Sequence, residues 1–304
     1  MQDSAPISAI PGAAAPLPDI LPPVKKRRGL SGFIYRHPTM AIGGFMLLVL
    51  ILIAVFAPLL CTGDPNAIAL AKRNREPSAE HWFGTDPFGK DIYARVLYGA
   101  RISLIVGFSV ALLASITGLA IGLVSGFVRW TDGIIMRVMD GLMSIPSILL
   151  AVALMALTRA SVENVIVAIT IAEIPRVSRL VRGVVLSLRE QPYVDAAIAA
   201  GTRTPMIILR HILPNTIAPV TVQATYICAS AMITEAILSF IGAGVPPTIA
   251  PSWGNIMADG RALWEVKPYI IFFPAIFLSI TVLAVNLLGD GLRDAVDPRM
   301  AKRL

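Results

Sequence analysis

The segment that most invites a chemical reading is Gly84, Thr85, Asp86, Pro87, Phe88, Gly89, Lys90, Asp91. It matches the phosphate-cradling loop GxxxxGK[ST] at every position but the last. That last position needs a hydroxyl to ligate magnesium, and Asp91 would instead set a carboxylate beside the phosphates. No strand pattern precedes the segment, so nucleotide binding is not expected there. The other candidate groups are scattered. His37, His81 and His211 show no ligand spacing, and no metal site is expected. Cys61 and Cys228 define no disulfide framework and read as small structural residues. No nucleophile lies near a base in a plausible site, so neither catalytic residues nor a cofactor are expected. Two carboxylates, Glu173 and Glu235, fall in long apolar stretches, where an ionisable group is costly and marks a pore or gate by default. The competing reading pairs Glu173 with Arg176 three residues on and hydrogen-bonds Glu235 to a neighbouring helix.

The elements that must position these groups are set by composition. Of 304 residues, 56% are apolar and 15% charged, with a mean hydropathy of +0.73, far above a soluble domain. The pattern predicts an all-α polytopic membrane protein with about six helices: 40–60, 102–127, 142–157, 162–181, 216–240 and 269–288. The fourth is short and interrupted by Glu173, Pro175 and Arg176, which leaves a five-helix reading open. No segment carries the alternation of a transmembrane barrel. Most of the 26 Lys and Arg fall on one set of connecting segments, which predicts cytoplasmic N- and C-termini.

The expected organisation is a disordered tail over 1–36, a first transmembrane helix over 37–61, an outer loop over 62–98, a core over 99–290 and a cytoplasmic tail over 291–304. The tail is rich in proline and alanine, and its cluster Lys25, Lys26, Arg27, Arg28 reads as a lipid anchor before the first span rather than a nucleic-acid patch. Gly118, Gly122 and Gly126 recur every fourth residue and predict close helix packing. Arg176, Arg179 and Arg182 form one stripe, expected to meet lipid headgroups. Trp253 and Trp264 are expected in an interfacial belt.

The cytoplasmic segment 188–215 carries the most information. Its stretch YVDAAIAAGTRTPMIILRHILPN predicts two short helices, one ending at Gly201 in a left-handed cap and one opening at Thr204 with Pro205 in its first turn. Pro214 is expected to close the second helix, and Val194, Ala197 and Ile198 to share one face. Small alanines among arginines read as a docking surface for another protein.

Asp195, Ala196, Ala197, Gly201, Leu213 and Pro214 resemble the EAA loop of binding-protein-dependent ABC importer permeases, which couples to the ATPase subunit. Asp195 stands where that pattern has Glu, and His211 where it often has Ile. The stretches 81–104, 238–257 and 286–300 resemble the dipeptide, oligopeptide and nickel branch of the family. The resemblance implies a type I importer fold in a bacterial inner membrane. It also implies a second permease subunit, two ATPases and an extracytoplasmic binding protein as partners, with no ATP hydrolysis by this chain. Peptides are the implied cargo, with nickel or glutathione as alternatives. A self-sufficient channel or carrier is the third reading, which would need no ATPase dock.

Overall fold

The computed structural model describes residues 37–61 and 63–296. The expected tail with its basic cluster and the chain after Val296 lie outside those residues. Every long element among the described residues is helical, because runs this apolar can satisfy their backbone groups at membrane depth only within their own helix.

Helix α1, Pro38–Leu60, contains Pro58, which has no N–H to offer the carbonyl of Ala54 one turn back. Arg101 supplies the missing donor. Its Nε donates to the Ala54 carbonyl at 2.6 Å and its Nη2 to that of Val55 at 3.1 Å. Arg101 belongs to α2, Ile92–Phe127, whose first turn is capped by Asp91 accepting from the Tyr93 N–H at 3.1 Å. At 36 residues α2 is about 54 Å long, so it projects beyond a hydrocarbon core of roughly 30 Å.

The segment resembling a phosphate loop is a turn that begins α2. The Asp86 Oδ1 accepts from the N–H groups of Phe88 and Lys90, both at 2.8 Å. Its Oδ2 accepts from Arg95, which also reaches Asp259 at 2.8 Å. Burial pushes the Asp86 carboxyl above its usual range, and Arg95 and the two N–H groups pull against that shift. This buried triad fastens the loop to α2 and to α9, Trp253–Gly260. Trp253 is fully buried on α9, with its Nε1 donating to the Val96 carbonyl at 3.0 Å. It is therefore a packing residue and not part of an interfacial belt, whereas Trp264 is exposed.

The expected apolar helix over 142–157 is broken. Helices α3, Arg129–Met143, and α4, Ser147–Ala156, meet at 86° across Ser144–Pro146. Proline drives the residue before it out of the helical region, which ends α3 there. At ten residues α4 is about 15 Å long and cannot cross alone. Helix α3 is amphipathic: Trp130, Ile134 and Val138 are exposed, while Asp132 and Asp140 meet Arg182 and Arg179 of α5, Val162–Arg189. The arginine stripe thus has protein partners rather than headgroups alone.

Glycine spacing sets how α2 and α5 pack. A Cβ on Gly118, Gly122 or Gly126 would meet Val177, Val181 or Val185 respectively at 2.5–2.7 Å. The three valines are fully buried in those notches. Because both series rise together, α2 and α5 run parallel and in register, and the chain between them must return to the opposite end. After α5 come α6, Pro192–Ala199, and α7, Thr204–Ile207, then a π-helical segment Ile208–Ile212 leading into α8, Leu213–Phe240. Pro214 does not close a helix. The wider π register, with the Leu213 N–H donating to Ile208, carries the chain past the proline, and Thr204–Phe240 forms one 37-residue unit.

The last helix is α10, Tyr269–Val296. Gly43 of α1 faces its Ala284 and Leu288, and Met40 faces Gly291, so the described chain begins and ends at the same end of the bundle. Four helical units are long and apolar enough to cross a membrane: Pro38–Leu60, Ile92–Phe127, Thr204–Phe240 and Tyr269–Ala295. The bent α3–α4 pair makes a fifth. Helix α5 has the length, but Glu173, Arg176 and Arg179 keep it out of that set.

Candidate functional site

The helical pair over 192–212 is built around one turn. The N–H of Gly201 donates to the Ile198 carbonyl at 2.9 Å and that of Thr202 to Ala197 at 3.1 Å, which together close α6 with a Schellman motif. Gly201 has φ +75°, the left-handed region that a residue without Cβ enters freely, and nothing lies within 4 Å of the position a Cβ would take. Its Hα face is therefore open to an approaching surface.

Anchors and exposed residues separate cleanly on this pair. Val194, Ile207 and Ile212 are buried in the helix core. Tyr193, Ile198, Met206 and Leu209 stand exposed, beside Arg203 and Arg210. Val194 and Ile198 thus do not share a buried face; Ala197 lies between them, half-buried. Asp195, Ala196 and Pro214 are exposed, and Leu213 and His211 half-buried. The His211 ring lies 6.3 Å from that of Tyr193, which bridges the two short helices. Between Asp195 and Pro214 the exposed apolar side chains Ile198, Met206 and Leu209 thus alternate with buried anchors, and Arg203 and Arg210 are exposed in the same segment.

The two membrane carboxylates lie elsewhere. Glu173 is buried on α5, with Arg176 Nη1 3.0 Å from its Oε2, off the line of a hydrogen bond, and the Ser230 hydroxyl 3.4 Å from its Oε1. Glu235 is fully buried on α8. It accepts from Ser239 at 2.8 Å and from Ser103 of α2 at 3.5 Å. Ser239 in turn accepts from the Val245 N–H at 3.0 Å, which pins the turn after α8. Neither carboxylate lies on the hairpin over 192–212.

A cleft of about 350 Å³ opens between α4, α8 and α10. Its polar lining is Ser147, Tyr226, Ser230, Thr234 and Asn286. The Tyr226 hydroxyl donates to Asp290. The sequence reading missed this cleft, although a signal was present: Tyr226, Ser230 and Thr234 recur every fourth residue along α8.

This is a polytopic helical membrane protein with an exposed helical hairpin at the foot of a spanning helix. The chain belongs to the family of binding-protein-dependent transport system inner membrane components, whose model matches residues 100–302. The N-terminal TM domain of oligopeptide transport permease C matches residues 34–77. A probable peptide ABC transporter permease protein of Sinorhizobium fredii is 56% identical, covering 88% of this chain and 91% of that protein. The dipeptide transport system permease protein of Alkalihalophilus pseudofirmus is 44% identical over 86% of each chain. A glutathione transport system permease protein of Pectobacterium atrosepticum is 40% identical, covering 88% and 89%. The fold also matches a chain of the MetNI methionine ABC transporter in an inward-facing conformation. That match has a TM-score of 0.57 at 20% identity, covering 68% of this chain and 98% of that one.

Proposed function

We propose that this chain is one of two permease subunits of an ATP-binding cassette importer, and that its cargo is a di- or oligopeptide. The observation that carries the reading is the exposed hairpin over 192–212, continuous through the π segment with α8, which also forms one wall of the polar cleft. An ATPase seated on Asp195, Ala196, Ala197 and Gly201 can move that helix directly. ATP is hydrolysed on the two ATPase partners, and a binding protein delivers cargo from outside. Closure of the ATPases tilts α8 and switches the cleft between the two sides, a rigid-body form of alternating access.

The peptide cargo rests on relatives described as peptide and dipeptide permeases at 44–56% identity. Glutathione, itself a tripeptide, is the alternative, supported by the permease at 40%. Six crossings fit best: α1, α2, the bent α3–α4 pair, α5, α8 and α10. The parallel, in-register packing of α2 on α5 supports them, since the pair between must bring the chain back. The excess of Lys and Arg on the hairpin side supports cytoplasmic termini.

The test is ATP-driven uptake. Proteoliposomes holding this chain with its partner permease and ATPases should take up dipeptides when ATP and the loaded binding protein are supplied. Gly201→Asp should abolish or uncouple ATPase association. Uptake by this chain with no ATPase present would overturn the reading in favour of a self-sufficient carrier.

A further inference from the structure

The cleft walled by α4, α8 and α10 is polar where polarity is expensive. The exposed side chains of α1 and α2, Phe45, Leu48, Leu52, Phe108, Leu112 and Ile116, are all apolar, as a lipid-facing surface requires. The cleft instead presents three hydroxyl side chains, a phenol and a carboxamide at the depth of the spans. Such groups face a water-filled path or another protein, not hydrocarbon.

Its chemistry is also uncharged. The charged groups at its border already have partners: Asp290 accepts from Tyr226, and Glu173 lies against Arg176 and Ser230. Among the described residues, the Asn286 carboxamide and the Ser147 hydroxyl make no side-chain hydrogen bond. Thr234 donates to the Ser230 carbonyl at 2.9 Å and keeps its oxygen free to accept. A carboxamide offers two donors and an acceptor, which complements the N–H and C=O of a peptide group. None of the residues that line the cleft is charged, so a charged cargo side chain finds no counter-ion among them. At about 350 Å³ the cleft lies within the range of small-molecule sites.

From these observations we propose that the cleft is a contact site for the peptide groups of the cargo on its way through, with Asn286 and Ser147 as the recognising side chains. The site reads the backbone and ignores side-chain charge. The proposal rests on the peptide-importer reading and assigns residues to it.

The experiment uses the full complex in proteoliposomes, with saturating binding protein and three dipeptides bearing neutral, acidic and basic side chains. The variants are Asn286→Leu, Asn286→Gln and Ser147→Ala, and ATPase stimulation by loaded binding protein is read alongside to report assembly. Asn286→Leu should slow uptake of all three dipeptides by roughly three- to tenfold, the effect of losing one hydrogen bond, with ATPase stimulation kept. Asn286→Gln should recover part of the rate, and Ser147→Ala should act in the same direction more weakly. Unchanged uptake in both Asn286→Leu and Ser147→Ala overturns the proposal, as does a loss confined to one charge class. A loss that tracks ATPase stimulation, with Gln no better than Leu, also overturns it by showing a structural role. If the unaltered complex imports a non-peptide cargo and no dipeptide, the cargo reading itself fails; the two failures are thus distinct.

Discussion

Replacing Gly122 by valine tests whether the α2–α5 ladder holds the bundle together. A Cβ there would sit 2.6 Å from the Val181 Cβ and 2.7 Å from the Ser178 carbonyl oxygen. Carbon pairs prefer roughly 3.5–4.0 Å, so the helices must separate by about 1 Å. Overpacking of this kind costs about 1–3 kcal/mol, and valine adds two further methyl groups in the same notch. The better helix propensity of valine over glycine returns only a few tenths of that. The net expectation is a loss of about 2 kcal/mol, a fall in Tm on the order of 5 °C. The assay is thermal unfolding of the purified chain in lipid nanodiscs. Gly183→Ala on α5, where nothing lies within 4 Å of the new Cβ, is the control and should raise Tm through propensity alone. Adding Val181→Ala to Gly122→Val should return much of the loss, a coupling of about 0.5–3 kcal/mol in a double-mutant cycle. If Gly122→Val is as stable as the parent, or if the two changes simply add, the ladder is not what fixes α2 against α5.

Three further outcomes follow from single contacts. Arg101→Leu leaves the carbonyl of Ala54 without a donor beside Pro58, and should destabilise the chain by about 1–3 kcal/mol in the same unfolding assay; Arg101→Lys should recover less than the full value, since an ammonium lacks the planar fork. Gly201→Val should weaken co-purification of the ATPase more than Gly201→Asn, because the site's φ of +75° costs a β-branched residue about 1–2 kcal/mol or more while asparagine visits that region readily. The third concerns pH. Burial raises the Asp86 carboxyl, so the folded chain binds a proton at a pH where the unfolded chain does not; this contribution favours folding below the ordinary carboxylate pKa and is lost as pH rises through the raised value. Lowering the pH from neutral toward the ordinary carboxylate range should therefore raise the Tm of the parent relative to Asp86→Asn, and a shift in the opposite sense would refute the assignment.

What the sequence revealed was local. The cap at Gly201, the helix start at Thr204 and the pairing of Glu173 with Arg176 each involve residues within a turn or two, where spacing alone dictates contact. The Gly118, Gly122, Gly126 series announced a close approach but not its partner, because the matching valines lie more than fifty residues on. What stayed hidden was set by distance along the chain. Arg95 meets Asp259 across 164 positions, and Trp253 finds Val96 across 157; nothing near Trp253 marks it as buried rather than interfacial. The bend at Pro146 was legible in kind but not in size: a proline that removes a helix hydrogen bond marks a kink in its span, whereas the 86° break that divides α3 from α4 does not follow from the proline alone. Pro214 misled in the opposite direction, since a π turn lets a helix pass a proline that an α register would not.

These contacts sort the polar groups of the spans into two kinds. Asp140 and Asp132 of α3 face Arg179 and Arg182 of α5, so the two helices are joined by two ion pairs, while Glu173 meets Arg176 within α5. With the glycine notches on the other side, α5 is held against both α2 and α3 and gives the subunit a rigid half. Helix α8 differs. It carries the hairpin at one end and the cleft along its length, and between them stands the π segment in addition to Pro219, whereas α5 has Pro175 alone to loosen its hydrogen-bond ladder. A force applied at Gly201 therefore meets least resistance along α8, and the groups it displaces relative to α4 and α10 are Tyr226, Ser230 and Thr234. If coupling and recognition lie on the same helix, as proposed, a substitution that stiffens Ile208–Ile212 into a regular α turn should alter the uptake obtained per ATP hydrolysed while leaving ATPase docking intact. Uptake per ATP that stays the same would mean that the hairpin and the cleft move independently.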